Sequence, residues 1–258
     1  MHKLAPAFLY AIFLCLVACG DSGKSDQPVA QCAAGEPAAA NFAILVDLSG
    51  TWHNEESRSL NESLLQIIGA ALVKATEEVA TCPTAVRYHV IGSDSLYRRP
   101  VCYATYVPTM MARGSSDPSL ITRPRQFKEY LTETCPLLLN AEPEKQTQVT
   151  ATLVTSLNSM AGLQSSARRI VVFSDLKEEP VQQYDLSSVD FAGVDVLLLY
   201  RALPEDRRDP PLLEQRVAAW KLQLEARGAQ VVAAPDTGLG SSVGDLAKLL
   251  GAGIAARQ

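Results

Sequence analysis

The segment that most constrains the fold is an apolar run that ends abruptly in acid and hydroxyl groups. Residues 42–46 read Phe-Ala-Ile-Leu-Val, and Asp47, Ser49 and Thr51 follow them. A short continuous apolar run of this kind is typical of a strand that is buried on both faces of a parallel sheet. Because alternate residues of an extended segment point to one side, the carboxylate and both hydroxyls converge where the strand ends. The sequence therefore predicts a ligand site at the carboxyl edge of a sheet.

The chemistry of these three side chains favours a hard divalent cation, with Mg²⁺ as the first choice and Mn²⁺ or Ca²⁺ as alternatives. The motif Asp-Leu-Ser-Gly-Thr at residues 47–51 resembles the Asp-x-Ser-x-Ser loop of von Willebrand factor A (VWA) domains, with Thr for the last Ser. That loop is the metal-ion-dependent adhesion site, in which both hydroxyls bind the metal directly and the Asp binds it through water. The resemblance implies a protein partner that offers an Asp or Glu to the metal.

The rest of the chain alternates apolar runs with segments of helical periodicity, which predicts an α/β fold. We expect one domain over residues 41–258, with a doubly wound, mostly parallel sheet of VWA or Rossmann type. Helices should cover both faces, and one antiparallel edge strand should fold back as a hairpin. Further strands are predicted at 85–91, 97–107, 169–174, 194–200 and 230–233. Helices are predicted at 57–80, 126–135 (ended by Pro136), 147–160, 212–226 and 243–255.

Two later segments supply counterparts for the remaining ligands of a VWA metal site. In that family, a Thr at the start of a later helix binds the metal directly, and an Asp after a later strand binds it through water. Thr147 opens a predicted helix and takes the first role, with Thr150 as the alternative. Asp175 ends the predicted strand 169–174 and takes the second role. The predicted metal ligands are therefore Asp47, Ser49, Thr51, Thr147 and Asp175.

The sequence departs from the VWA pattern at two places besides the Thr at the end of the motif. Asp175 is followed by Leu-Lys-Glu-Glu where the family has a glycine turn, so the rim of the site is more acidic. Residues 98–125 are longer than the hairpin and the next helix require, and this segment is a candidate for specificity. In the alternative interpretation the site has lost its metal, and Asp47 and Ser49 cap neighbouring backbone amides.

The amino terminus has the pattern of an exported lipoprotein. Residues 1–18 form a signal peptide with an apolar run that is too short to span a membrane comfortably. Its end, Leu-Val-Ala-Cys at 16–19, resembles a bacterial lipobox, in which Cys19 becomes the lipidated first residue. Residues 19–40 would then carry the lipid and form a flexible tether. Because Gly20 follows Cys19, the resemblance to lipoproteins of two-membrane bacteria implies an outer-membrane anchor facing the periplasm.

Cysteine usage is consistent with an oxidising compartment. Beyond the signal peptide and Cys19, an even number remains: Cys32, Cys82, Cys102 and Cys135. Two disulfides are therefore predicted, and three pairings are possible. The positions of Cys32 before the first strand and Cys82 after the first helix favour Cys32–Cys82 with Cys102–Cys135.

Several function classes are disfavoured. The net charge of −5 provides no general attraction to nucleic acid. A haloacid-dehalogenase-like phosphohydrolase would need a second acid where Ser49 stands. The Gly-x-Ser-x-Gly pattern at 240–244 has no later histidine to complete a hydrolase triad. The sequence thus predicts a non-enzymatic envelope lipoprotein that binds a protein through a metal. The alternatives are a metal-free scaffold of an envelope assembly that uses residues 98–125, and a phosphohydrolase.

Overall fold

A single seven-stranded sheet forms the centre of the described structure. The computed structural model describes residues 40–49, 63, 65–74, 83–93, 98–107, 120–139, 144–161, 167–178, 186–236, 246, 247 and 250. The strands are β1 (Ala40–Asp47), β2 (Thr84–Ile91), β3 (Cys102–Tyr106), β4 (Leu120–Ile121), β5 (Ala167–Ser174), β6 (Val194–Tyr200) and β7 (Gln230–Pro235). Their order across the sheet is β4-β3-β2-β1-β5-β6-β7.

The sheet is mostly parallel, which confirms the predicted α/β fold class. β1 lies at its centre between β2 and β5 and is parallel to both. β5, β6 and β7 continue the parallel pairing on one side. On the other side β3 is antiparallel to β2, as the hairpin pattern predicted. It is not the edge strand that was expected, because the two-residue β4 pairs with it in parallel and takes the edge position. Because β1 is covered on both faces, all eight of its residues are buried.

Helices pack on both faces of the sheet, as predicted. The helices are α1 (65–74), α2 (Pro124–Glu129), α3 (Cys135–Leu139), α4 (Val149–Ala161), α5 (Pro204–Arg208) and α6 (Pro210–Glu225). Phe42 and Ile44 of β1 belong to one core with residues of α1, α2 and α3. Leu45 of β1 belongs to the opposite core with residues of α4 and α6. Each fully buried side chain of this size contributes about 1.5–3 kcal/mol, so β1 is fixed from both sides.

The prediction that Pro136 ends a helix is wrong. Between α2 and α3 the chain makes a π-helical turn, Tyr130–Thr134, in which the amide of Cys135 donates to the carbonyl of Tyr130. α3 then continues through Pro136 to Leu139. Proline disrupts a regular α-helix because its ring collides with the carbonyl four residues earlier. In the π turn the amides bond to carbonyls five residues earlier, and Pro136 falls in the first turn of α3, where the missing N–H of proline is tolerated.

The predicted Cys102–Cys135 disulfide is present and links β3 to the start of α3, with 5.6 Å between the Cα atoms. A cross-link that closes a loop of this size contributes about 3–4 kcal/mol when its effect is taken as chain entropy. Cys32 and Cys82 lie outside the described residues, as do the predicted signal peptide, Cys19 and residues 20–39 of the predicted tether. Ala40, which the prediction placed in the tether, instead begins β1 and is buried. Within the described ranges, no helix has both the length and the apolar character that a membrane span needs.

Candidate metal centre at the carboxyl edge of the sheet

Asp47, the last residue of β1, is fully buried, and both of its carboxylate oxygens accept hydrogen bonds. The backbone amide of Ser49 donates to Oδ1 at 2.9 Å. The hydroxyl of Ser174, at the end of β5, donates to Oδ2 at 2.6 Å. One carboxylate therefore connects the loop after β1 with the end of β5.

The parallel pairing of β1 and β5 explains why these residues meet. Val46 and Phe173 are register partners, so the two strands end side by side. Asp175 follows β5 directly, is only 3% exposed, and acts electrostatically on Asp47. The topology thus brings Asp47, Ser49 and Asp175 to one edge, where sequence reasoning expected them to lie.

The electrostatics of this edge disfavour the ionised acids. Burial raises the pKa of the Asp47 carboxyl from 3.8 to about 6. The hydrogen bond from Ser174 opposes that rise in pKa, the negative charge of Asp175 adds to it, and the Ser49 hydrogen bonds oppose it. Burial also raises the pKa of Asp175, against the lowering effects of the Lys177 amide and the Arg216 charge. Two buried acids that repel each other form an environment that a cation would stabilise.

A third segment, which contains Glu144, lies against the loop after β1. Ser49 forms an isolated parallel bridge with Glu144, and the Glu144 amide donates to the Leu48 carbonyl at 3.0 Å. The Glu144 carboxylate accepts the Ser93 amide at 3.2 Å and forms an ion pair with Arg98. Glu144 therefore joins the loops that follow β1 and β2.

Thr147 lies three residues after Glu144 and is buried, two residues before α4 begins at Val149. Thr150, the alternative ligand, has its hydroxyl bonded to the Glu178 carboxylate at 2.9 Å, and its amide donates to both Glu178 oxygens at 3.1 Å. Because the hydroxyl of Thr150 already has this partner, Thr147 is the better candidate. Thr51 lies outside the described residues.

The donor set fits a hard cation. The described part of the chain contains no cluster of three or more His, Cys, Asp or Glu side chains with a metal-binding arrangement. The predicted ligands offer carboxylate and hydroxyl oxygens, and oxygen ligands of both kinds suit Mg²⁺, Mn²⁺ and Ca²⁺.

Three residues that shape the edge were not among the predicted site residues: Ser174, Glu144 and Glu178. Of these, Glu178 was expected only as part of the acidic rim. Ser174 could have been found, because it is the last polar residue of a buried strand next to a candidate ligand. Nothing in the local sequence distinguishes Glu144 or Glu178 from acids that are exposed to solvent, because their roles depend on contacts with distant segments.

Comparisons with known proteins give distant similarities. No family model and no curated protein matches the sequence. Among solved structures, the chain is similar to the pilus adhesin SpaC from Lactobacillus rhamnosus GG in its open conformation, with a TM-score of 0.47 and 11% identity. That match covers 84% of this chain and 30% of SpaC.

Two further solved structures have similar scores. The PilB minor pilin from Streptococcus sanguinis matches with a TM-score of 0.45 and 10% identity, over 86% of this chain and 63% of PilB. An aerotolerance-related membrane protein from Bacteroides fragilis, with multiple mutations to serines, matches with a TM-score of 0.40 and 13% identity. The match covers 84% of this chain and 99% of that protein.

Proposed function

We propose that this chain is an envelope lipoprotein whose VWA-like domain binds a protein partner through a divalent cation. The ligands would be Asp47, Ser49, Thr51, Thr147 and Asp175. The observation that carries the proposal is the pair of buried acids, Asp47 and Asp175, at the ends of neighbouring strands. Burial raises the pKa of both, and the negative charge of Asp175 raises the pKa of Asp47 further.

The donor set suits recognition rather than turnover. A divalent cation that is bound directly by neutral hydroxyls, with Asp47 and Asp175 acting through water, would keep much of its positive charge. A carboxylate from a partner would then make a charge-assisted contact at that point. Asp47 is held by hydrogen bonds from Ser49 and Ser174, which fix its orientation before any ligand arrives.

Metal binding can be tested by thermal unfolding of the full chain in detergent. Since a ligand that binds only the folded state stabilises it by mass action, Mg²⁺ at a hundred times its Kd should add about 2.7 kcal/mol relative to EDTA. Ser49→Ala should remove the metal response. Ser188→Ala, the same change at an exposed serine, should keep it. Equal metal responses in the two variants would contradict the ligand assignment.

Partner binding can be tested by affinity capture from membranes of the source organism, with and without EDTA. The proposal predicts a partner that is retained with Mg²⁺, released by EDTA, and absent when Ser49→Ala is the bait. A partner that EDTA does not release would favour the metal-free scaffold and direct attention to residues 98–125. Hydrolysis of a generic phosphate ester by the wild type, but not by Asp47→Asn, would favour the phosphohydrolase.

The lipid anchor can be tested separately. Cys19→Ser removes the only sulfur at which the lipobox would place a lipid. The wild type should fractionate with membranes and incorporate labelled palmitate, whereas the variant should do neither. A variant that keeps its lipid label would contradict the assignment of Cys19.

A further inference from the structure

The turn after Asp175 has a strained backbone. Leu176 has a φ of 60°, and it is the one non-glycine residue with positive φ in the part of the chain that the structure describes. The left-handed conformation costs an ordinary residue about 1–2 kcal/mol. Such conformations persist only where the surrounding structure imposes them, and they cluster at binding sites and switches.

Local hydrogen bonds and core packing account for part of the left-handed conformation of Leu176. The Leu176 amide donates to Oγ of Ser174 at 3.0 Å, and the Lys177 amide donates to Oδ1 of Asp175 at 2.8 Å. The Leu176 side chain is 1% exposed and belongs to the core beneath α4 and α6. These contacts fix the side chains around the turn, but they leave the carbonyls of Asp175 and Leu176 to be bound by another element.

Helix α6 binds both carbonyls. The Arg216 guanidinium donates to the carbonyl oxygen of Asp175 at 3.0 Å. The Trp220 indole N–H donates to the carbonyl oxygen of Leu176 at 2.9 Å. Because Arg216 and Trp220 are four residues apart, they lie on the same side of the helix. Two consecutive peptide groups of the strained turn are therefore held by one rigid element.

Arg216 is itself held in place by a buried acid. Its guanidinium donates to both carboxylate oxygens of Asp206, at 2.8 and 3.2 Å. The Asp206 side chain is fully buried and also accepts the Leu203 amide at 2.9 Å. A guanidinium bound on two sides has little freedom to rotate, so the Asp175 carbonyl meets a donor with a fixed direction.

We propose that Arg216 and Trp220 are positioning residues for the metal centre, which hold the Asp175 carboxylate in place by fixing the turn that follows it. This inference rests on the proposed function, because it names what sets the affinity of that same site. If either contact is lost, Leu176 can relax toward negative φ. That rotation changes the path of the chain after Asp175 and displaces the carboxylate from the edge that it shares with Asp47.

The test compares Mn²⁺ affinity, measured by isothermal titration, with the free energy of unfolding in EDTA. Trp220→Phe removes the donor to Leu176 and keeps an aromatic ring. The double variant Asp206→Asn/Arg216→Met removes the donor to Asp175 and leaves the net charge unchanged. The matched control is Lys221→Met/Glu225→Gln, which removes an ion pair within the same helix at 3.7 Å.

The proposal predicts that both test variants bind Mn²⁺ about 10-fold or more weakly, as is typical when groups that orient metal ligands are removed, and that the control binds like the wild type. If the test variants lose stability but keep the wild-type Kd, Arg216 and Trp220 are structural only and the proposal is overturned. If the wild type itself binds no Mn²⁺, the proposed function fails and this inference fails with it.

Discussion

Two buried acid sites on the same sheet are built in opposite ways. Near the amino ends of β5 and β6, Asp195 and Arg169 are cross-strand partners and form a buried ion pair at 2.9 Å. At the carboxyl ends of β1 and β5, Asp47 accepts a hydroxyl and an amide and lies near a second acid, Asp175. The chain therefore neutralises a buried acid with its own residue at one end of the sheet. At the other end two acids lie together, and although the charges of Arg216 and Lys177 act on Asp175, burial still raises the pKa of both acids, an arrangement that suits a cation from solution.

The largest change in stability is expected when the buried ion pair between Arg169 and Asp195 is broken. Arg169→Met leaves Asp195 buried without this counter-charge, and such changes cost about 3–5 kcal/mol. Urea unfolding should show a loss of this size, and the double variant Arg169→Met/Asp195→Leu should recover most of it. Because the pair is far along β5 from the candidate site, the shift in Tm on adding Mg²⁺ should be unchanged. A loss confined to the metal response would contradict the separation of the two sites.

At the carboxyl edge of the sheet, removing a buried charge is expected to raise the free energy of unfolding. Asp47→Asn should stabilise the metal-free protein at neutral pH, because the substitution removes a charge that burial disfavours. The rise in pKa from 3.8 to about 6 corresponds to at most about 3 kcal/mol. The same variant should lose the response to Mg²⁺. Destabilisation by Asp47→Asn in EDTA would show that the carboxylate is structural.

The stability gained by Asp47→Asn should depend on pH, and this dependence tests whether the buried charge of Asp47 is the cause. Since the pKa of Asp47 is higher in the folded state, the folded protein is favoured when the acid is protonated. In EDTA, the advantage of Asp47→Asn over the wild type should be absent below pH 3.8, grow up to about pH 6 and stay constant above it. Unfolding curves across this range would show the trend. A constant difference at all pH values would exclude ionisation as the cause.

A smaller loss of stability is expected from a substitution at Gly92, against which the Glu144 side chain packs. A Cβ atom at Gly92 would lie 2.4 Å from Cδ of Glu144, so the Glu144 side chain must move. Because that side chain is flexible, Gly92→Ala should cost only about 1 kcal/mol. It should also weaken Mg²⁺ binding, because losing the contacts of the Glu144 carboxylate with Ser93 and Arg98 loosens the segment whose backbone bridges Ser49. The control is Gly69→Ala, whose Cβ would meet the Leu131 backbone at 2.7 Å. That variant should lose more stability and keep its Kd for Mg²⁺.

The smallest effect is expected at an exposed ion pair. Arg125 and Glu129 are four residues apart on α2 and form an ion pair at 2.8 Å, with 90% and 46% of their side chains exposed. Water and salt screen such a pair, so Arg125→Met should leave Tm unchanged within error. A loss as large as that of Arg169→Met would mean that burial does not account for the difference between the ion pairs.

The sheet and one part of the candidate site could be predicted because both follow from local patterns. The apolar runs of β1, β5 and β6 identify buried parallel strands without reference to the rest of the chain. The rule that parallel strands end at a common edge then brings Asp47 and Asp175 together. Cys102–Cys135 was predicted less directly, as the pair that remained when the order of the elements favoured Cys32–Cys82.

The other features depend on tertiary contacts that have no local signature. The π turn before Pro136, the bridge from Glu144 to Ser49, and the binding of the Asp175 turn by Arg216 all join segments that are distant in sequence or depend on packing. Leu176 is the clearest case, because a left-handed leucine contradicts its own preference and is held there by another helix.

The measurement that tests the central claim most directly is an anomalous difference map from crystals of the full-length domain grown with Mn²⁺. We predict a peak in contact with the Ser49 hydroxyl, at the edge where Asp47 and Asp175 end their strands, and no peak there in crystals of Ser49→Ala. A map with no Mn²⁺ at this edge, from protein whose Asp47 and Asp175 are ordered, would contradict the account.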